Sequence, residues 1–362
     1  MISFDMERTR SCVVTDLNYR CLIAAAILLA DPIRHCEAQS AEEIPAAVKP
    51  WLAPQVWKRD VEKAVLTLGE AGHFDDRHIF APSVIRKDGR FLLYYSGSRG
   101  DVNERVFRLG LATSRDGRDF NRHPQSPIFG FADNRRSVVT PSLLRSSDGT
   151  AVRDQGRLRM WFSARDLTDP ESPYEIHETS SSDGIRWSKP SKPLLSEARA
   201  PSVLKTDNGY RMRYVDVSRE PWAVRHAQSD DGLNWSTSAS EVLKVDQEWE
   251  RLRINYPFVM QVETTPGGEP SSAVYLMWYG SRTKPGPRTA IGFAASTDGI
   301  TWHKHPNNPV LRPDPERPWE SHYTTSQSVM RLNDGSFRMW YASRKKPPHV
   351  NKYFAINTAV WK

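Results

Sequence analysis

Five times along the chain a short apolar run is followed, after a turn, by a second run in which apolar and polar positions alternate. The first runs are APSVI (Ala81–Ile85), TPSLL (Thr140–Leu144), APSVL (Ala200–Leu204), YPFVM (Tyr256–Met260) and SQSVM (Ser326–Met330). The second runs are GRFLLYYSGSR (Gly89–Arg99), GRLRMWFSAR (Gly156–Arg165), GYRMRYVDVSR (Gly209–Arg219), AVYLMWYGSR (Ala273–Arg282) and GSFRMWYASR (Gly335–Arg344). A period of two marks strands with one face buried, so each pair predicts two antiparallel strands. Downstream, four segments share Ser-x-Asp-Gly-x-x-aromatic: Asp116/Phe120, Asp183/Trp187, Asp231/Trp235 and Asp298/Trp302. This chemistry suits a hairpin tip, because Asp accepts hydrogen bonds from its own turn and Gly takes the positive φ. A third strand is predicted to enter that turn, and a proline-led segment such as NPVL (Asn308–Leu311) to form a fourth.

Units of four short strands recurring every ~50–70 residues predict propeller blades. The fifth unit ends at YFAINTAVWK and lacks its fourth strand. At the other end, WKRDVEKAVLTL (Trp57–Leu68) aligns with WHKHPNNPVL (Trp302–Leu311) and WSKPSKPLL (Trp187–Leu195), so the N-terminal segment is expected to complete the last blade. The fold expectation is therefore all-β: a five-bladed β-propeller of four-stranded antiparallel blades over residues 51–362, closed by an N-terminal strand. A motif present in four equivalent places reads as scaffold rather than as a unique reactive site.

Composition adds a compartment and a charge. Arg20 precedes the apolar run CLIAAAILLA (Cys21–Ala30), which is too short to span a bilayer. Small residues Ala38 and Ser40 then fit a cleavage site, so residues 1–40 read as a signal peptide, 41–50 as a linker, and the protein as secreted or periplasmic. No membrane span is expected after its removal. The cysteines, Cys12, Cys21 and Cys36, all fall in that segment, and no HExxH or EF-hand pattern occurs, so neither a metal nor another cofactor is expected. Net charge is +7 for the whole chain, and the part left after cleavage is also basic. Such a balance points to an anionic partner, an acidic glycan or the cell surface; without a Lys-rich stripe or a nucleic-acid motif, nucleic acid is set aside.

The repeated PSVI…DG.F.MWYS and S.DG..W pattern resembles the five-bladed glycosyl hydrolase superfamily of arabinanases, β-xylosidases, invertases and levansucrases, over roughly Trp51 to Lys362. The resemblance implies a glycoside hydrolase or transglycosidase acting on a poly- or oligosaccharide through carboxylates at one end of the axial funnel. In that superfamily an Asp commonly precedes the inner-strand proline. Here the corresponding residues are Ala81, Thr140, Ala200, Tyr256 and Ser326, none of them acidic. The alternative is a non-catalytic glycan-binding propeller that lacks the usual aspartates. A sialidase-like reading is weaker, because the sialidase box has one more residue between Asp and Gly and sialidases have six blades.

Comparison of the repeats separates scaffold from candidate chemistry. Phe74-Asp75, Trp249-Glu250 and Trp319-Glu320 occupy equivalent positions and read as a structural clasp, with the arginine ending each second strand as its expected partner. Acids confined to one unit are the catalytic candidates: Asp76 as base or nucleophile, Asp166 as orienting acid, and Glu197 or Asp216 as general acid with a raised pKa. Arg99, Arg165, Arg199, Tyr256, Arg282, His322 and Arg344 are the substrate-binding candidates, since guanidinium groups grip carboxylate or sulfate and sugar faces stack on aromatic rings.

Overall fold

The structure, a computed structural model, describes residues 43–100, 105–263, 273–283, 288–345 and 354–362. The expected signal peptide lies outside the described residues. Among them the chain is all-β apart from one 3-10 turn at Lys49–Leu52. Its strands fall into antiparallel sheets in sequence order. Sheet one holds His78–Lys87, Arg90–Ser98, Arg108–Ser114 and Asn121–Arg122. Sheet two holds Arg136–Leu143, Arg157–Asp166, Glu175–Ser181 and Leu195–Ser196. Sheet three holds Ala198–Thr206, Gly209–Asp216, Ala223–Ser229 and Ser236–Leu243. Sheet four holds Arg251–Glu263, Ala273–Thr283, Arg288–Ser296 and His303–Lys304, and sheet five holds Tyr323–Arg331, Phe337–Arg344 and Phe354–Trp361. A single parallel bridge, Thr289 with Tyr323, joins the last two. The first strands pack against one another in sequence order, and that of sheet five also packs against that of sheet one. Lys58 and Leu66 of the N-terminal segment pair antiparallel with Val360 and Ile356 on the last strand.

The Ser-x-Asp-Gly turns follow the third strands and lock the sheets together. In each, the Ser hydroxyl bonds to Asp Oδ1 and accepts the Gly N–H, while that carboxylate accepts further turn amides, as Asp116 does from Arg118 and Asp119. These amides hold the Asp116 pKa down at about 2. The turn glycine's carbonyl then accepts a hydrogen bond from the second strand of the preceding sheet. Tyr94 Oη reaches Gly184 at 3.0 Å, Trp161 Nε1 reaches Gly232 at 2.9 Å, and Arg213 Nε reaches Gly299 at 3.0 Å. Trp340 Nε1 of sheet five makes the same bond to Gly117 of sheet one at 2.8 Å.

The acid clasps are buried, but their partners differ from the expected second-strand arginines. Asp75 accepts from Tyr95 Oη and Arg122 Nε, both at 2.8 Å. Glu250 accepts from Tyr279 Oη at 2.6 Å and Lys304 Nζ at 2.7 Å; Glu320 accepts from Tyr341 Oη at 2.7 Å and Arg59 Nε at 2.5 Å. The tyrosine three or four positions before the arginine lies beneath the acid, and the cation comes from a fourth-strand position two residues after an aromatic. Arg59 of the N-terminal segment stands where Arg122 and Lys304 stand in sheets one and four, as the alignment of Trp57 with Trp302 requires. The clasp aromatics occupy room left by glycine: a Cβ on Gly292 would meet Trp249 at 2.6 Å and Tyr279 at 2.7 Å. Both members of the Glu250–Lys304 pair are buried. Lys304 keeps Asp246 as a second carboxylate partner at 2.6 Å, so Glu250→Gln should cost about 2 kcal/mol, the loss of one buried charge-assisted hydrogen bond. A urea midpoint equal to that of the unaltered protein would exclude a structural role for the clasp.

Candidate functional site

Each first strand changes direction at one residue. Ala81, Thr140, Ala200, Tyr256 and Ser326 are left-handed, with φ of 53°, 51°, 50°, 50° and 43°. The pairing register with the second strand shifts at the same place in every sheet. A non-glycine residue there costs on the order of 1 kcal/mol, and for β-branched Thr140 more. The neighbours compensate in part: Ser163 Oγ accepts the Ala200 N–H at 2.7 Å and bonds to Thr140 Oγ1, also at 2.7 Å. These bulges divide two cavities. Residues at and beyond the bulges line one of about 400 Å³, in which Ser83, Ser142, Ser202 and Ser328 take part. The strand starts line the other, of about 440 Å³.

The second cavity is the candidate site, because positive charge is concentrated there. Arg105, Arg165, Arg199, Arg253, Arg282 and Arg344 line it, among aromatic and small polar residues. No carboxylate appears among the described residues of its lining. Arg253 is ion-paired with Glu220. Among the described residues, Arg105, Arg165, Arg199 and Arg282 have no ion pair. Aromatic faces take the place of acids. Arg199 lies 4.8 Å from the ring centroid of Tyr174, 5.1 Å from Tyr256 and 5.4 Å from Trp222, and its Nη2 donates to Tyr256 Oη at 3.0 Å. Arg165 lies 4.7 Å from the Tyr174 centroid, and Arg344 lies 3.7 Å from that of Tyr323. Such contacts hold a desolvated cation in place without neutralising it.

The perturbed groups follow from this crowding. Burial pushes the pKa values of Arg105 and Arg344 down, and the like charge of Arg282 adds to the effect on Arg344. Burial alone would raise the Tyr174 phenol. The Arg199 and Arg165 guanidiniums, with Arg105 beyond them, outweigh it and hold the phenol below the ordinary tyrosine value.

Arg165, Arg199, Tyr256, Arg282 and Arg344 thus meet around one cavity. Arg99 is exposed and bonds to the Gly72 carbonyl at 3.5 Å. His322 is buried beside the cavity, its ring stacked 4.8 Å from that of Tyr323. The four candidate acids are placed apart from the lining. Asp76 accepts the Gly72 N–H at 2.8 Å. Asp166 accepts from Thr168 and is ion-paired with Arg135 at 2.9 Å; the Thr168 hydroxyl and amide, then Arg135, hold its pKa down. Asp216 is ion-paired with Arg225 at 2.7 Å. Glu197 is exposed, and its backbone is left-handed at φ 52°. At the equivalent position, three residues before the bulge, His78, Ser137, Arg253 and Tyr323 line the cavity. Sequence reasoning missed Arg105, Arg253, Tyr174 and Tyr323. The period-two register would have found Arg253 and Tyr323, whereas Arg105 and Tyr174 come from connections between second and third strands that carry no periodic signal.

No protein-family model matches the chain. The uncharacterised proteins MT1551 and Rv1502, from two strains of Mycobacterium tuberculosis, are each 30% identical over 160 residues, covering 41% of this chain and 51% of the relative. The chain therefore spans about half the length of these curated relatives. Among solved structures, a complex of BT0996 with RGII superposes with a TM-score of 0.65 at 17% identity, over 86% of this chain and 93% of that protein. A structure from work on the GH130 family of mannoside phosphorylases, containing glycoside hydrolases that target β-1,2-mannosidic linkages in Candida mannan, gives 0.63 at 16% identity over 88% and 95%. An N-acetylgalactosamine deacetylase from F. plautii, in complex with blood group B trisaccharide, gives 0.61 at 14% identity over 87% and 95%. At these identities the likeness is one of fold: the chain has the all-β, propeller-like architecture of glycoside hydrolase structures.

Proposed function

We propose that this protein recognises an acidic glycan in the arginine-lined cavity of a closed five-bladed propeller. Closure is supported by the cyclic packing of the first strands, the Trp340–Gly117 bond and the pairing of Lys58 and Leu66 with the last strand. The observation that carries the functional reading is a cavity of six arginines and three tyrosines with no carboxylate among the described lining residues. Hydrolysis of a glycoside by the usual route needs two carboxyls facing the scissile bond, ~5 Å apart for retention and ~6.5–9.5 Å for inversion. Binding of an acidic sugar needs what is present: guanidinium forks for its carboxylate or sulfate and aromatic faces for its rings. The apolar run Cys21–Ala30 supports export, which would bring the protein to extracellular polysaccharide.

A second reading, supported by the fold shared with glycoside hydrolases, is that the protein turns such a glycan over. Asp76, Asp166, Glu197 and Asp216 are then its candidate carboxylates. One experiment separates the two. The purified protein is titrated with neutral, uronic and sulfated oligosaccharides while product release is followed by chromatography. Acidic oligosaccharides should bind and neutral ones should not, with affinity falling as salt is raised. Arg199→Met or Arg165→Met should weaken binding about tenfold or more, since a charge-assisted hydrogen bond contributes ~1.5–3 kcal/mol. Release abolished by D76N, D166N, E197Q or D216N would establish the second reading, and absence of any acidic ligand would sink the first.

Tyr174 sets the pH response. Below its pKa the phenol is neutral and leaves Arg165 and Arg199 free for the ligand. Above it the phenolate pairs with those guanidiniums and competes. Because that pKa is depressed, affinity for an acidic oligosaccharide should begin to fall with rising pH before the ordinary tyrosine range. Tyr174→Phe should abolish the alkaline loss, and an unchanged pH profile in that variant would assign it to another group.

A further inference from the structure

The guanidiniums of the cavity fall into two groups, contributed by different sheets. Arg165 of sheet two and Arg199 at the start of sheet three lie 4.7 and 4.8 Å from the Tyr174 ring centroid, and Arg105 of sheet one lines the same cavity. On sheets four and five, Arg282 and Arg344 line the same cavity, and Arg344 covers the Tyr323 ring at 3.7 Å. Arg253, the remaining lining arginine, is already neutralised by Glu220. Uncharged polar residues, Asn255, Tyr256 and Thr325 among them, also line the cavity. A single carboxylate could satisfy the first group or Arg282, and would leave the other without an anion. A guanidinium left in that state keeps the desolvation cost of its partly buried site with no anion to offset it. The volume of about 440 Å³ falls at the lower end of the ~300–1,000 Å³ typical of small-ligand sites, which suits a short saccharide.

Building on the acidic-glycan reading, we propose that the cavity takes a saccharide carrying two separate oxyanion substituents, one held by Arg105, Arg165 and Arg199 beside Tyr174 and the other by Arg282 and Arg344 beside Tyr323. Each group offers more N–H donors than one carboxylate has lone pairs, so carboxylate, sulfate and phosphate esters share the required chemistry. The spacing of the two anions on the sugar, rather than the sugar's neutral hydroxyls, then selects the ligand. A saccharide with one acidic group would bind in either half of the cavity and be held weakly.

Calorimetric titration of the whole protein at fixed ionic strength tests this with four probes: galacturonic acid, digalacturonic acid, a disulfated disaccharide and a hexose bisphosphate. At least one two-anion probe should bind thirtyfold or more tighter than galacturonic acid, about 2 kcal/mol, and which one does so identifies the oxyanion. Arg282→Met should reduce that ratio to within about threefold, with thermal denaturation reporting whether the variant is folded. The ratio in the unaltered protein needs no variant and decides the matter alone. If all four probes bind within about threefold of one another, the two-subsite arrangement is overturned while the acidic-glycan reading stands. If none binds and longer acidic oligosaccharides also fail, that reading falls and takes the inference with it.

Discussion

The hydrogen bond from a second-strand side chain to the turn glycine of the next sheet is the contact on which the rest of the arrangement depends. Sheets of this kind share apolar faces that could slide, and a directional bond to one carbonyl fixes their relative register. Chemically different donors fill the role: the Tyr94 hydroxyl, the indoles of Trp161 and Trp340, and the Arg213 guanidinium. Geometry, rather than residue type, is what the position retains. The exception sharpens the point. Trp278 of sheet four precedes a sheet that has no Ser-x-Asp-Gly turn, and its indole N–H has no hydrogen-bond partner among the described residues. Its ring packs instead against Trp57 of the N-terminal segment at 6.3 Å, edge to face, and against Phe293 at 5.1 Å. Apolar contact supplies there what a polar bond supplies elsewhere.

Charge is sorted by the same framework. Acids that could have faced the cavity are drawn inside or to the side: Asp75, Glu250 and Glu320 into clasps, Asp166 to Arg135, and Asp216 to Arg225. The cations used in the clasps come from fourth-strand positions and from Arg59, so the clasps do not draw on the arginines that end the second strands. Three of these, Arg165, Arg282 and Arg344, border the cavity. Removing acids from the lining and leaving guanidiniums there raises the local positive potential more than the net charge of +7 would suggest.

The sequence made the strands legible because their period and their turns repeat. Ser114, Ser181, Ser229 and Ser296 each end a third strand, so a four-residue motif located one strand end in each of four sheets. The N-terminal segment was legible for the same reason, since Arg59 repeats Arg122 and Lys304. The cavity was harder to read. Uniqueness within the repeats picked out Asp166 and Asp216, but it does not report that Arg135 and Arg225 lie within ion-pair distance. The same uniqueness picked out Glu197, yet a left-handed backbone at that residue leaves its side chain exposed, where the same register elsewhere lines the cavity. Periodicity reports a strand's faces only while the strand stays regular.

That local irregularity bears on chemistry. The five bulges turn each strand so that the preceding side chain, Phe80, Val139, Arg199, Asn255 or Thr325, borders the cavity. The scaffold therefore offers five equivalent positions that here carry five different side chains, because a left-handed residue turns the backbone at each. Arg199 in this ring, caged by Tyr174, Trp222 and Tyr256, is buried and reaches the cavity lining at its edge. An anion arriving at that edge meets a cation that has already lost much of its hydration, so less solvent must be displaced on binding than at a surface arginine. The strained backbone and the aromatic cage thus act together: the first places the guanidinium in the cavity and the second keeps it ready for an oxyanion.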